Sequence, residues 1–188
     1  MAKLPFEERL ERAAHLTVLA RRFFDVWWLY EGADTRPGIL GVMNRFPEFF
    51  RFDSHAHDIA MVTHLALLFE NRPDTINFSA LILEAEAGNL APAAALVKAK
   101  STLDSVSALR PKIAVLRSNL IAHRSASISY DNAYAKAAIT PFQLRDLTEA
   151  ARSIINVLLI SRGLQECFFA PSTIAHTRAM LQALTESS

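Results

Sequence analysis

Arg117 and His123 are the two residues of this 188-residue chain whose types and spacing could carry out chemistry. They lie six positions apart in the stretch VLRSNLIAHRSASISY, residues 115–130. An arginine stays charged at any working pH and can hold a phosphate through two parallel hydrogen bonds. A histidine can take up and release protons near neutral pH. Together they could cleave RNA without a metal, with the arginine on the phosphate and the histidine acting on the 2′-hydroxyl or the leaving oxygen.

The helical spacing of the pair leaves a second interpretation open. In an ideal α-helix six residues turn by about 600°, so the two side chains would point about 120° apart. They would converge only if the helix loosens near its end or if both line one cleft. Asn119 and His123 share a face, as do Arg117 and Arg124. A histidine and an arginine that interact with the dipole at a helix C-terminus are an equally adequate structural account.

The pair lies in a basic segment of a balanced chain, whose formal net charge is +1. Residues 90–124 contain six basic residues and one acidic residue, whereas residues 45–89 contain three basic and seven acidic residues. Such a segment could attract phosphate groups, or it could be an ordinary solvated helix face. The basic residues that precede Arg117 in it are Lys98, Lys100, Arg110 and Lys112.

A second cluster of polar residues could bind a metal. It consists of Asp53, His55, His57 and Asp58, with His64 seven positions after His57. Imidazole and carboxylate groups suit zinc, nickel or iron, but a metal site in a helical bundle needs ligands from facing helices. We therefore interpret the cluster as the polar start of a helix, with Asp53 or Ser54 as its cap. We predict neither a metal nor another cofactor.

Other classes of site have no support in the sequence. A serine nucleophile on a G-x-S-x-G turn and a glycine-rich phosphate loop are both absent. The single cysteine, Cys167, excludes an internal disulfide and is expected to be buried and inert. The N-terminus is too charged for a signal peptide, and no apolar run reaches the ~20 residues that span a bilayer. We therefore expect a cytoplasmic protein without membrane contact.

Apolar spacing predicts an all-α fold: a single domain over residues 1–188, built as a helical bundle with long core helices and short connections. The aromatic residues of FFDVWWLY, residues 23–30, indicate a helix buried on two faces or a surface for a partner. Thr140, Pro141 and Gln143 form a capping-box pattern at a helix start. The predicted helices are residues 5–30, 47–70, 78–88, 89 onward, 140–162 and 172–184.

Two further predictions concern segments near the Arg/His pair. Pro111 either kinks one long helix or starts a new one. Because the apolar positions keep their spacing across it, we favour a kinked continuation. Residues 125–139, SASISYDNAYAKAAI, are expected to form a polar loop.

Around the pair, the sequence resembles the HEPN superfamily, and within it the abortive-infection, AbiU-like branch. LRSNLIAHRS is similar to the branch's "LR-x-x-x-IAHR" helix, and ITPFQLRDLTEAARSIINVL is similar to its next helix. HDIAMVTHLALLFENRPDTINFSALI resembles the upstream helix and its "LF-D-x-x-x-x-S" exit. The resemblance is best over residues 51–159.

The resemblance implies an all-α dimer in which two motif helices face each other. One arginine and one histidine from each chain, here Arg117 and His123, would form a composite catalytic cleft. Many members are metal-independent ribonucleases that act as toxins or in phage defence, some with an antitoxin, and others are inactive binding modules. Asn119, Arg124, Arg110 and Lys112 would then contact RNA.

Two departures from the family pattern bear on activity. Ser118 stands where Asn, Asp or His is common after the motif arginine, and Ser125 stands where toxins of the HepT type have a tyrosine. The alternative to a ribonuclease is therefore a non-catalytic helical module that binds protein or RNA.

Overall fold

The structure, a computed structural model, describes residues 4–122 and 130–186. Within these ranges the chain forms nine α-helices and no strand, so the predicted all-α fold class is confirmed. The helices are α1 (Phe6–Glu31), α2 (Leu40–Arg45), α3 (Pro47–Phe69), α4 (Phe78–Ala87), α5 (Ala93–Ser105), α6 (Arg110–Arg117), α7 (Tyr130–Ala137), α8 (Pro141–Ser161) and α9 (Ser172–Glu186).

The main core forms where α1 packs between α3 and α8. Leu10, Leu65, Leu147 and Ile154 are completely buried there. Around this core, α5 packs on α8, and α6 packs on α3. Burial on both sides explains why α1 is apolar on two faces.

The C-terminal helix completes a second, smaller core. Here α9 packs against α1 and α2, and Tyr30, Phe50 and Leu181 are buried in this cluster. Arg45 Nη1 donates to the Leu184 carbonyl oxygen at 2.7 Å. Phe24 and Trp27 are also buried, in the main core, so packing accounts for much of the aromatic run in α1.

The chain reverses direction directly after α1. Gly32 caps the helix, and its amide donates to the Trp28 carbonyl oxygen. A Cβ at Gly32 would lie 2.6 Å from that oxygen, so the close approach requires a glycine. The predicted first helix, residues 5–30, ends close to this turn, whereas the short helix α2 that follows was not predicted.

The prediction of one kinked helix through Pro111 is wrong. α5 ends at Ser105, and α6 begins at Arg110, with Pro111 in its first turn. A proline there loses no helical hydrogen bond, whereas inside a continuous helix its ring would clash with the carbonyl four residues earlier. Turns fill the gap, and one of them joins the Leu109 amide to the Val106 carbonyl oxygen at 2.9 Å.

The prediction of a polar loop over residues 125–139 is also wrong in part. Residues 125–129 lie outside the described ranges, but α7 covers most of the rest. Its alanines have high helix propensity, and Ala133 and Ala137 are buried. The ring of Tyr134 stacks on that of Trp27, with centroids 6.2 Å apart and planes 3° apart.

Two local predictions are confirmed. The Thr140 hydroxyl accepts from the Gln143 amide at 3.3 Å, and the Gln143 side chain accepts from the Thr140 amide at 3.1 Å, which completes the capping box of α8. Cys167 is buried, and burial raises the pKa of its thiol to about 11. It is therefore protonated and unreactive near neutral pH.

Candidate functional site

Arg117 ends α6, and its side chain reaches the C-terminal end of α3. Its Nη1 lies 3.3 Å from Oε2 of Glu70, the residue directly after α3. The Arg117 side chain is 36% exposed and that of Glu70 14%. A cavity of about 130 Å³ surrounds the pair, and Arg110, Ser118 and four apolar residues also line it. An anion arriving from solvent can therefore reach the Arg117 guanidinium.

Glu70 is the site residue that sequence reasoning missed. Its Oε1 is buried, and within the described ranges it has no hydrogen-bond partner. Leaving a buried acceptor unsatisfied costs about 1–3 kcal/mol. Only the acidic position of the "LF-D" exit could have drawn attention to Glu70.

A π-helical turn, Ser118–Ala122, extends α6 toward His123. Such turns have i to i+5 hydrogen bonds. They are rare overall, but those that occur are often found at functional sites. The helix therefore loosens after Arg117, and the separation of about 120° expected for an ideal α-helix does not apply. His123 and Arg124 lie outside the described residues, so their position relative to Arg117 stays a prediction.

Asn119 connects this turn to α7. Its Nδ2 donates to the Val115 carbonyl oxygen at 2.6 Å, and its Oδ1 accepts from Lys136 Nζ at 3.2 Å. Lys112, about two turns earlier, donates to the Ala138 carbonyl oxygen at 2.6 Å. Asn119 and Lys112 therefore tie α7 to the Arg117 segment.

Arg110 lies beside Arg117 but is anchored to the fold. Its Nε donates to the carbonyl oxygen of Phe69 at 3.0 Å, and its Nη2 donates to Ser79 Oγ at 3.1 Å. Arg110 therefore caps the C-terminus of α3 and joins it to α4.

The two lysines of α5 belong to another part of the bundle. α5 packs on α4 and α8, and neither Lys98 nor Lys100 lines the Arg117 cavity. Lys100 pairs with Glu86 at 2.6 Å. Among the predicted basic residues that the structure describes, Arg110 and Arg117 are therefore the pair brought together.

The polar cluster of α3 has structural roles. His57 Nδ1 lies 2.8 Å from the Asp53 carbonyl oxygen, and His64 Nδ1 lies 2.5 Å from the Ala60 carbonyl oxygen. Both imidazole rings also pack against Phe23. Over residues 4–122 and 130–186, no group of three or more His, Cys, Asp or Glu side chains could hold a metal ion.

The expectation that Asp53 or Ser54 caps this helix is wrong. α3 begins at Pro47, so both residues lie within it. Ser54 is buried, and its hydroxyl donates to Glu31 Oε1 at 2.8 Å, which joins α3 to the end of α1.

Comparison with protein families identifies the chain. The all-α fold of the described residues is the fold that the resemblance to the HEPN superfamily predicted. The family model HEPN_AbiU2, described as AbiU2, matches residues 3–161, so the chain belongs to this family of the HEPN superfamily. The match extends beyond the region of best resemblance and includes α1. Comparisons with curated proteins and with solved structures gave no match.

In the described part of the chain, no helix is both long and apolar enough to cross a membrane.

Proposed function

We propose that the protein is a metal-independent endoribonuclease that acts as a homodimer in the cytoplasm, as a phage-defence protein or as a toxin with a cognate antitoxin. The observation that carries the proposal is the position of Arg117: half-exposed, in a cavity, and oriented by a carboxylate. Among the described residues, Glu70 takes only one N–H group of Arg117, so the others are available to a phosphate.

In the proposed reaction, the RNA 2′-oxygen attacks the adjacent phosphorus and the bond from phosphorus to the 5′-oxygen breaks. One His123 takes the proton from the 2′-hydroxyl, and a second His123 gives a proton to the leaving 5′-oxygen. Arg117 stabilises the charge that develops on the phosphate oxygens. The products are a 2′,3′-cyclic phosphate and a 5′-hydroxyl, and neither a cofactor nor a metal takes part.

A dimer is part of the proposal because one histidine cannot easily serve as acid and base in the same step. Two motif helices that face each other would supply both histidines. Sedimentation velocity at the assay concentration should therefore show a dimer. A monomer that still cleaves RNA would contradict the composite site.

The catalytic proposal is tested by incubating purified protein with total RNA in EDTA. Arg117→Ala and His123→Ala should each lose activity by about 100-fold or more. Arg178→Ala and His176→Ala are matched controls, because both residues are exposed on α9 and lie beyond the family match. Equal cleavage by the wild type and all four variants would end the proposal.

A second candidate function is a non-catalytic module that binds a partner protein. The observation in its favour is a row of phenylalanines at the start of α3, namely Phe46, Phe49 and Phe52, which are 40%, 52% and 71% exposed. Apolar surface of this kind often meets a partner. A wild-type dimer that leaves RNA intact in this assay would favour this second function.

A further inference from the structure

A cleft of about 870 Å³ opens at the end of α3 that is remote from Arg117. It lies between the end of α1, α2, the first half of α3, and α7. Aromatic walls are provided by Trp27, Phe50, Phe52 and Tyr134. The volume is within the range of roughly 300–1,000 Å³ that is typical of small-molecule sites.

The charges that line this cleft are distributed unevenly. Its arginines face carboxylates, since Arg36 pairs with Glu31, and Arg51 lies 3.2 Å from Glu48. Asp58 instead meets a neutral group: its Oδ1 accepts from the Tyr134 hydroxyl at 2.5 Å. Asp58 is only 2% exposed. Among the described residues, the partner of the Asp58 carboxylate is therefore a phenol, whereas Glu31 and Glu48 each pair with an arginine.

The environment of Asp58 opposes its negative charge. Burial is the largest cause, and together with the nearby Glu31 it raises the pKa of Asp58 to about 6, although the Tyr134 hydrogen bond acts in the opposite direction. A cation in the cleft would offset both the burial cost and the repulsion by Glu31, because its attraction favours the charged form of Asp58. An anion would add to the repulsion, and a neutral ligand would relieve neither.

We propose that this cleft binds a linear polyamine, with one terminal ammonium group paired to Asp58 and the alkyl chain lying against Trp27 and Phe52. Ammonium groups and the adjoining methylenes are favourable neighbours of aromatic faces. A second ammonium group pairs with Glu48, which lines the same cleft. Ten residues separate the two acids on α3, or about 15 Å along the helix axis, and a long polyamine can bridge this distance.

Isothermal titration calorimetry with spermine tests this proposal. The wild type should bind spermine, and Asp58→Asn should weaken binding by about tenfold or more, because a charge-assisted contact is lost. The amide oxygen of the substituted side chain can still accept the Tyr134 hydrogen bond, and circular dichroism would check the fold of this variant. Asp104→Asn, an exposed change on α5 outside the cleft, should leave the affinity unchanged.

Two further measurements keep the test decisive if Asp58→Asn does not fold. Glu48 is 83% exposed, so Glu48→Gln will fold and should weaken spermine binding by about threefold. A neutral chain, 1,12-dodecanediol, should bind at least tenfold more weakly than spermine. The proposal is overturned if the wild type does not bind spermine at millimolar concentration, if the diol binds as tightly, or if Glu48→Gln has no effect.

Discussion

Arg117 and Glu70 face each other at 3.3 Å, and their contact joins the end of α6 to the end of α3. A partly exposed pair such as this one contributes little to the free energy of unfolding, at most about 1 kcal/mol. Its consequence is orientation, because the carboxylate holds Nη1 of the guanidinium, and among the described residues no other partner takes the remaining N–H groups. Glu70 also places a negative charge beside any phosphate that Arg117 binds.

Replacing Glu70 by glutamine should therefore change RNA cleavage and RNA affinity in opposite directions. Loss of the carboxylate frees the Arg117 side chain from its fixed orientation, so the cleavage rate should fall by about tenfold. Removal of a negative charge near the phosphate should tighten RNA binding by about threefold. Single-turnover cleavage measures the rate, and fluorescence anisotropy with a non-cleavable RNA measures the affinity.

Glu86→Gln is the matched control for this change, since Glu86 forms an exposed ion pair with Lys100 outside the Arg117 cavity. It should leave both quantities unchanged. A parallel loss of affinity and rate in Glu70→Gln would show that Glu70 does not act through the orientation of Arg117.

Arg110→Ala should reduce stability, because Arg110 caps α3 and bonds to α4. The carbonyl of Phe69 and the hydroxyl of Ser79 would lose their donor, at a cost of about 1–3 kcal/mol in the free energy of unfolding. Lys98→Ala, an exposed change, should cost less than about 0.5 kcal/mol. Urea unfolding compares the two. Unchanged stability together with weaker RNA binding would return Arg110 to the role of a direct RNA contact.

The long helices could be predicted from the sequence because each carries its own signals. α1, α3 and α8 have more than five turns of apolar spacing, and the Thr140 capping box fixes the start of α8. The break before Pro111 could not be predicted in this way. Leu103 before the break, Val106 within it and Ile113 after it are all buried, so the apolar spacing continues although the helix does not.

The site could be predicted only in part, for a related reason. Arg117 belongs to a local motif, whereas its partner Glu70 is 47 residues away in sequence. The contact between Asp58 and Tyr134 joins residues 76 apart in sequence. Because residues 125–139 were expected to form a loop, the helix that carries Tyr134 was not predicted. Contacts of this kind depend on how α3 packs against its neighbours, which single-sequence patterns do not specify.

Thr140→Ala should destabilise the protein by about 1 kcal/mol. The change removes the acceptor for the Gln143 amide at the start of α8, and Thr140 is exposed, so no cavity is created. Thr140→Ser keeps the hydroxyl and should restore most of the loss. Urea unfolding measures the free energy of unfolding of both variants. Equal losses of stability in Thr140→Ala and Thr140→Ser would show that the hydroxyl of the capping box contributes nothing.

The stability of the protein should depend on pH through Asp58. In the folded protein the pKa of Asp58 is raised to about 6 from an ordinary value of 3.8, mainly by burial. The folded state therefore holds this proton more tightly than the unfolded state between about pH 4 and pH 6. By linkage, the contribution of Asp58 to stability is fully present below pH 4 and is lost as the pH rises through 6. The loss is on the order of 3 kcal/mol.

Asp58→Asn has no such titration, so its free energy of unfolding minus that of the wild type should increase by that amount from pH 4 to pH 8. Urea unfolding at steps of half a pH unit measures this difference, and a difference for Asp58→Asn that stays constant from pH 4 to pH 8 would contradict the raised pKa.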